Sequence, residues 1–434
     1  MTRRDRRLAA RGGPSRHLAR RGPSGHSARR ESSGLLARRS LAGAVVVVLL
    51  AAVFCGVQLN RAPPAPMIRR TVPASLTVPG APPMLPWPAQ GEAAVDVTGV
   101  GTFGPVGGDQ PVPVASLTKM MTALVVLGDH PLSGGAEGPA LVITPADVAV
   151  YRSGAAVGDS ELAVTAGEAL SERQAIEGLL VPSADNLAVV LARWDAGSEA
   201  AFVDKMNAKA ASMGLTKTHY ADVSGLDPAT VSTATDQLRV AEAAMAVPVF
   251  AQTVDLAQVT LPVAGTVHNF NRLVGQDGIV GIKTGSTAAA GGCFAFAANR
   301  LVGGHPATIV GVVLGQHGGS LINAGLTASQ RVLDAAGASL TNFHGPEPGQ
   351  SEAQVVASWG KSAPASAAGM ASLVAWPGLV LRARVMPGRL QPGMPAGAVV
   401  GHISYQLGTQ RADLPLHLSR ALPGPSLAWR LERL

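Results

Sequence analysis

Three hydrophobic patterns divide the 434-residue chain. The first is an unbroken run, LAGAVVVVLLAAVFCGVQL at 41–59, with no charged residue. It is close to the ~20 residues that a membrane-spanning helix needs. The second fills 91–340, where apolar positions recur at helical spacing between strand-like segments. VPVASLTKMMTALVVL starts a buried helix near Ser116, and EALSERQAIEGLLVP, DNLAVVLARW, AFVDKMNAKAASMG and TATDQLRVAEAAMAV continue the helical texture. Strand-like runs follow at 258–267, 278–283, 293–299 and 308–314, and the helix SLINAGLTASQRVLDAAG closes the unit. A strand, many helices, then strands and a helix predict an α+β domain with an antiparallel sheet. The third pattern, after a polar loop at 341–352, consists of short β-like runs divided by Gly and Pro. These are SLVAWPGLVLRARV, AVVGHISYQL, ADLPLHLS and LAWRLERL, and they predict a small all-β C-terminal domain at 353–434.

Nine of the thirty residues 61–90 are Pro, so 60–90 reads as an extended linker, a tether before folded sequence begins near Glu92. Charge changes the picture at the other end. Residues 1–40 hold twelve Arg and two acids, a net +10, while the whole chain is +7; the rest therefore carries −3. The basic balance belongs to a tail, and nucleic-acid binding by the folded part gains no support. Arginines on the N-terminal side of 41–59 place that side in the cytoplasm and everything after it outside. A cleaved signal, which would make the protein secreted, competes with an uncleaved anchor. The long basic region and the lack of an A-x-A site favour the single-pass anchor. Cys293 is the sole thiol beyond the span, so no internal disulfide forms there, and no HExxH-like spacing supports zinc. No cofactor is expected.

Candidate chemistry lies in three short motifs. Ser116 and Lys119 are i, i+3 neighbours at a helix start. A serine hydroxyl needs a base, and a buried lysine can supply one. Ser183, Asp185 and Asn186 lie between two helices, where an N-cap is the plainer role. Lys283, Thr284, Gly285 and Ser286 end an apolar run, where a cation, a hydroxyl and close backbone approach suit a terminal carboxylate. Each alone also fits ordinary helix starts and turns.

Taken together, S-x-x-K, S-A-D-N 67 residues later and K-T-G 100 residues after that resemble the active-site set of penicillin-binding serine acyltransferases. ASLTKMMTALVVL, LLVPSADNLA, FVDKMNAKAASMGLTKTHYADVSGL, STATDQLRVAEAAM and GIKTGSTAAAGGCFAFA resemble, in order, blocks of the D-alanyl-D-alanine carboxypeptidases of peptidase family S11. The resemblance implies a penicillin-binding, serine β-lactamase-like transpeptidase fold with an all-helical subdomain. It also implies a substrate, peptidoglycan stem peptides ending in D-Ala-D-Ala, and covalent inhibition by β-lactams. By position, Ser116 is the nucleophile, Lys119 its base, and Ser183 the relay to the leaving amine. Lys283 and Thr284 bind the terminal carboxylate, and N–H groups of Ser116 and Ser286 form the oxyanion hole.

Two positions depart from the family. Asp185 stands where the family carries Asn, with Asn186 after it, and Asp222 in ADVSGL also replaces an Asn. A carboxylate cannot donate to substrate and stabilises a neighbouring ammonium. Either Asn186 takes over the amide role, or activity falls, or Asp185 is tolerated. The alternative function is a weakened or silent cell-wall binding protein on the same fold. A β-lactamase lacks support, because no E-x-x-x-N pattern supplies a deacylating glutamate.

Overall fold

The computed structural model describes residues 31–107, 110–345, 347 and 349–433; most of the basic tail, residues 1–30, lies outside the described residues. The chain forms two compact units, Ala65–Pro423 and a smaller one of Met1–Pro64 with Gly424–Leu434. In the smaller unit α1 (Glu31–Asn60) holds the uncharged run, and its segment Arg38–Asn60 is long and apolar enough to cross a membrane.

In the larger unit, β1 (Met67–Arg70) and β2 (Ser75–Thr77) come first, then β3 (Glu92–Val97) and β4 (Gly101–Val106). A 3-10 turn, Ala115–Leu117, leads into α2 (Thr118–Asp129). Every residue from Thr118 to Leu127 is buried, as an all-round apolar sequence requires. Helices α3 (Pro145–Val157), α4 (Glu172–Leu180), α5 (Asp185–Ala196), α6 (Glu199–Ser212), α7 (Ala234–Met245) and α8 (Pro248–Val254) surround it. Capping boxes start α3 (Thr144 with Asp147) and α4 (Ser171 with Gln174). Leu117, Met120 and Met121 share one core with Leu179, Leu187, Leu191 and Phe202.

Strands β5 (Ile279–Thr287), β6 (Gly291–Val302) and β7 (His305–Gln316) complete a five-stranded antiparallel sheet of order β5-β6-β7-β3-β4. Helix α9 (Leu321–Ser339) packs on β6 so closely that a Cβ at Gly292 would lie 1.9 Å from the Leu321 carbonyl oxygen. The segment read as one strand at 258–267 is a hairpin, Gln258–Leu261 with Gly265–His268.

The C-terminal module is built from β8 (Ser351–Val356), β9 (Ser362–Ala367), β10 (Val380–Pro387), β11 (Val399–Leu407) and β12 (Gln410–Leu418). Its sheet has seven strands, β1-β8-β9-β12-β11-β10-β2, because the Pro-rich segment supplies both edges. That segment is therefore no free tether. Its prolines flank the short runs MIRR and SLT, leaving their N–H groups free to pair, and edges tolerate such neighbours. Met67 to Arg70 pair with Val356 to Ala353, and Ser75 to Thr77 with Arg382 to Val380.

The run LAWRLERL, expected to be β-like, is helix α10 (Leu427–Glu432), capped by Ser426, whose hydroxyl accepts from Trp429 N at 3.2 Å. Leu, Ala, Arg and Glu are good helix formers once a cap is present. Within the smaller unit, Arg430 donates to Leu59 O at 3.3 Å, and Arg433 to Gln58 O at 3.0 Å and to Arg61 O. These guanidiniums satisfy carbonyls left open at the end of α1.

Candidate active site

Among the described residues, three non-glycine residues have positive φ, and two of them, Ala115 (49°) and Ser183 (63°), meet here. Such conformations cost ~1–3 kcal/mol each and persist only where the surroundings impose them. Ala115 turns the chain so that Ser116, the middle residue of the 3-10 turn, stands half-exposed above the buried wall of α2. At i, i+3 in that tight turn the two side chains eclipse. Lys119 Nζ donates to Ser116 Oγ at 2.9 Å.

Lys119 is fully buried and makes two more contacts, to Ser183 Oγ at 3.3 Å and to Asp185 Oδ1 at 2.5 Å. From β5, buried Lys283 donates to Ser183 Oγ at 2.7 Å and to Thr284 O at 2.9 Å. Burial, with repulsion from Lys119, holds the Lys283 ammonium well below its ordinary pKa, against a pull from Asp185 in the other direction. Ser116, Lys119, Ser183 and Lys283 thus form one continuous hydrogen-bonded line. Gly285 lets β5 pass the nucleophile turn, since a Cβ there would stand 2.8 Å from Ser116 N. Ser286 follows, half-buried, paired with Gly292.

The middle motif behaves differently from a helix cap. Ala184, not Ser183, is the N-cap of α5 and has no side-chain oxygen to offer. Asp185 does not present a free carboxylate: one oxygen faces Lys119 and the other accepts from Ser160 N at 3.1 Å. Asn186, expected at the substrate, points away. Its amide oxygen accepts from Leu162 N at 3.0 Å and its nitrogen donates to Leu162 O at 2.8 Å. On a helix, i and i+1 do not share a face, so Asn186 cannot replace a side chain at 185.

Asp222 is explained by its setting. Its Oδ2 accepts from the N–H groups of Ser224, Gly225 and Leu226 and from Ser224 Oγ, a nest of donors suited to a carboxylate. The motifs gave no sign of the loop at 159–162, which no spacing ties to Ser183, yet it contacts both Asp185 and Asn186. Among the described residues, no three His, Cys, Asp or Glu side chains converge as metal ligands.

The model of peptidase S11, described as D-alanyl-D-alanine carboxypeptidase, matches residues 106–317. A D-alanyl-D-alanine carboxypeptidase of Streptomyces sp. strain K15 is 33% identical over 218 residues, covering 46% of this chain and 71% of the relative. The chain belongs to the peptidase S11 family. The D-alanyl-D-alanine carboxypeptidase DacB2 of Mycobacterium tuberculosis is 36% identical over 206 residues. There the match covers 45% of this chain and 65% of the relative, so the chain spans just under two thirds of that protein. The structure of penicillin binding protein 5 from Haemophilus influenzae superposes with a TM-score of 0.54 at 21% identity, over 80% of this chain and 100% of that one. The fold is thus the α+β fold of the penicillin-binding DD-peptidases.

Proposed function

We propose that this S11 protein is a membrane-anchored serine D-Ala-D-Ala carboxypeptidase working through an acyl-enzyme on Ser116. The observation that carries the reading is the 2.9 Å contact of Lys119 Nζ with Ser116 Oγ, at the head of the line through Ser183 to Lys283. In the reacting state a neutral Lys119 takes the Ser116 proton as Oγ attacks the carbonyl carbon of the penultimate D-Ala. The C–N bond breaks, Ser183 passes a proton to the leaving D-Ala amine, and water then hydrolyses the ester. The N–H groups of Ser116 and Ser286 stabilise the oxyanion, each such donor being worth ~2.7–4 kcal/mol. The substrate's terminal carboxylate meets Thr284 and Lys283, whose charge it favours. The span at 41–59 anchors the chain, with 65–423 outside the cytoplasm.

The Lys119–Asp185 ion pair favours a second reading, a slow or silent enzyme, because the 2.5 Å contact engages the proposed base with a carboxylate. Intact mass spectrometry after exposure to benzylpenicillin separates the two. A single acyl adduct on the wild type, lost in Ser116→Ala, supports the enzyme. No adduct on the wild type points to the silent protein, and an adduct on Ser116→Ala refutes the nucleophile.

A further inference from the structure

The first turn of α5 lacks a cap of its own, since Ala184 has no oxygen and Ser183 is turned to the lysines. The loop 160–162 fills the gap with five hydrogen bonds: Asp185 N to Ser160 O, Ser160 N to Asp185 Oδ2, Asn186 N to Glu161 Oε2, and the pair between the Asn186 amide and the Leu162 backbone. Glu161 supplies the only charged acceptor offered by this loop, at 3.1 Å from Asn186 N. Its other oxygen occupies space that Gly154 of α3 leaves open; a Cβ at Gly154 would stand 2.0 Å from it.

We propose that Glu161 is a positioning residue for acylation. It holds the helix turn that presents Ser183 and Asp185, and it brings a second carboxylate to that turn beside Asp185. This rests on the Lys119-base reading above.

The charges around Glu161 are few. Asp185 on α5 and Asp159 in the loop oppose its ionisation, and Lys119 on α2 favours it. Helix α3 brings Val150, Ser153, Gly154 and Val157 to the same cavity of about 300 Å³, none of them charged. Burial first, then Asp185, raises the Glu161 pKa to about 7. Glu161 therefore gains its charge across the neutral range, beside Asp185.

Glu161→Gln keeps an acceptor for Asn186 N and removes the charge; Glu161→Ala removes both. Two readouts apply to the full-length protein in detergent: benzylpenicillin acylation rate against pH, and thermal melting. Glu161→Gln should match wild type below about pH 6. Above about pH 7 it should acylate faster, on the order of threefold, a displacement of about half a pH unit. Glu161→Ala should lose rate at every pH and melt at lower temperature. A Glu161→Gln pH–rate profile that overlays wild type overturns the proposal, as does a Glu161→Gln variant impaired like Glu161→Ala at every pH. A wild type that forms no adduct at any pH refutes the catalytic reading, whereas an overlaid profile refutes this proposal alone.

Discussion

At Asp185 a single oxygen-for-nitrogen exchange decides how ready the site is. Its carboxylate accepts from Lys119 Nζ at 2.5 Å, whereas an amide there also carries a donor. Asp185→Asn keeps an acceptor for Ser160 N, so the fold should persist. Acylation should rise on the order of tenfold, most strongly at the acid end of a series from about pH 6 to about pH 9. A rate lower than wild type across that series would show that Asp185 helps the reaction. Asn186→Ala is the contrasting case. It strips two buried hydrogen bonds from Leu162, at a cost of ~1–3 kcal/mol seen in thermal melting. Its acylation should fall only as the loop loosens, with no displacement of the pH profile.

Secondary elements reveal how far local reading carries. S-x-x-K was legible because i, i+3 contact is a property of one turn, and K-T-G because an apolar run followed by a cation, a hydroxyl and a glycine is a local feature, although the strand continues through it to Thr287. The partners of Ser183 were not, since its φ of 63° and the two lysines that hold it come from three separate elements. The Pro-rich segment is the same lesson in β structure: MIRR and SLT are too short to announce themselves, and pairing with β8 and β10 is what makes them strands. A chain beginning at Ala65 should therefore melt well above one beginning at Gly91, which lacks both edges. Equal melting temperatures would show that β1 and β2 contribute nothing to stability.

For the molecule as a whole, stability should depend on pH through half-buried acids outside the hydrogen-bonded line of Ser116. Glu242 on α7 is pushed to about 7, by burial first and then by Asp96 on β3. The folded state keeps that proton between the ordinary glutamate value of 4.5 and about 7, where the unfolded chain has released it. Stability then falls as pH rises through that window and levels off above it. Glu242→Gln should flatten part of this fall and raise the melting temperature at about pH 8 relative to wild type. An unchanged slope would mean the acid is not strained in the fold. At the same scale, the full chain should sediment with membranes and a chain beginning at Ala65 should not; retention of the latter would reveal another lipid-contacting surface.

The sequence by itself determined what depends on residue type and near spacing: the apolar span, the buried α2, the order of elements behind an α+β fold, and three motifs whose joint spacing resembles one family. Tertiary structure alone decided which neighbour each polar group meets. It turned Asn186 to Leu162, set Asp185 against Lys119, brought Glu161 to the end of α5 and laid the proline-rich segment on a distant sheet. The reason is that a hydrogen-bonding group carries its chemistry in its own atoms but finds its partner only when segments far apart in the chain are packed together. Burial then makes that choice of partner costly to change.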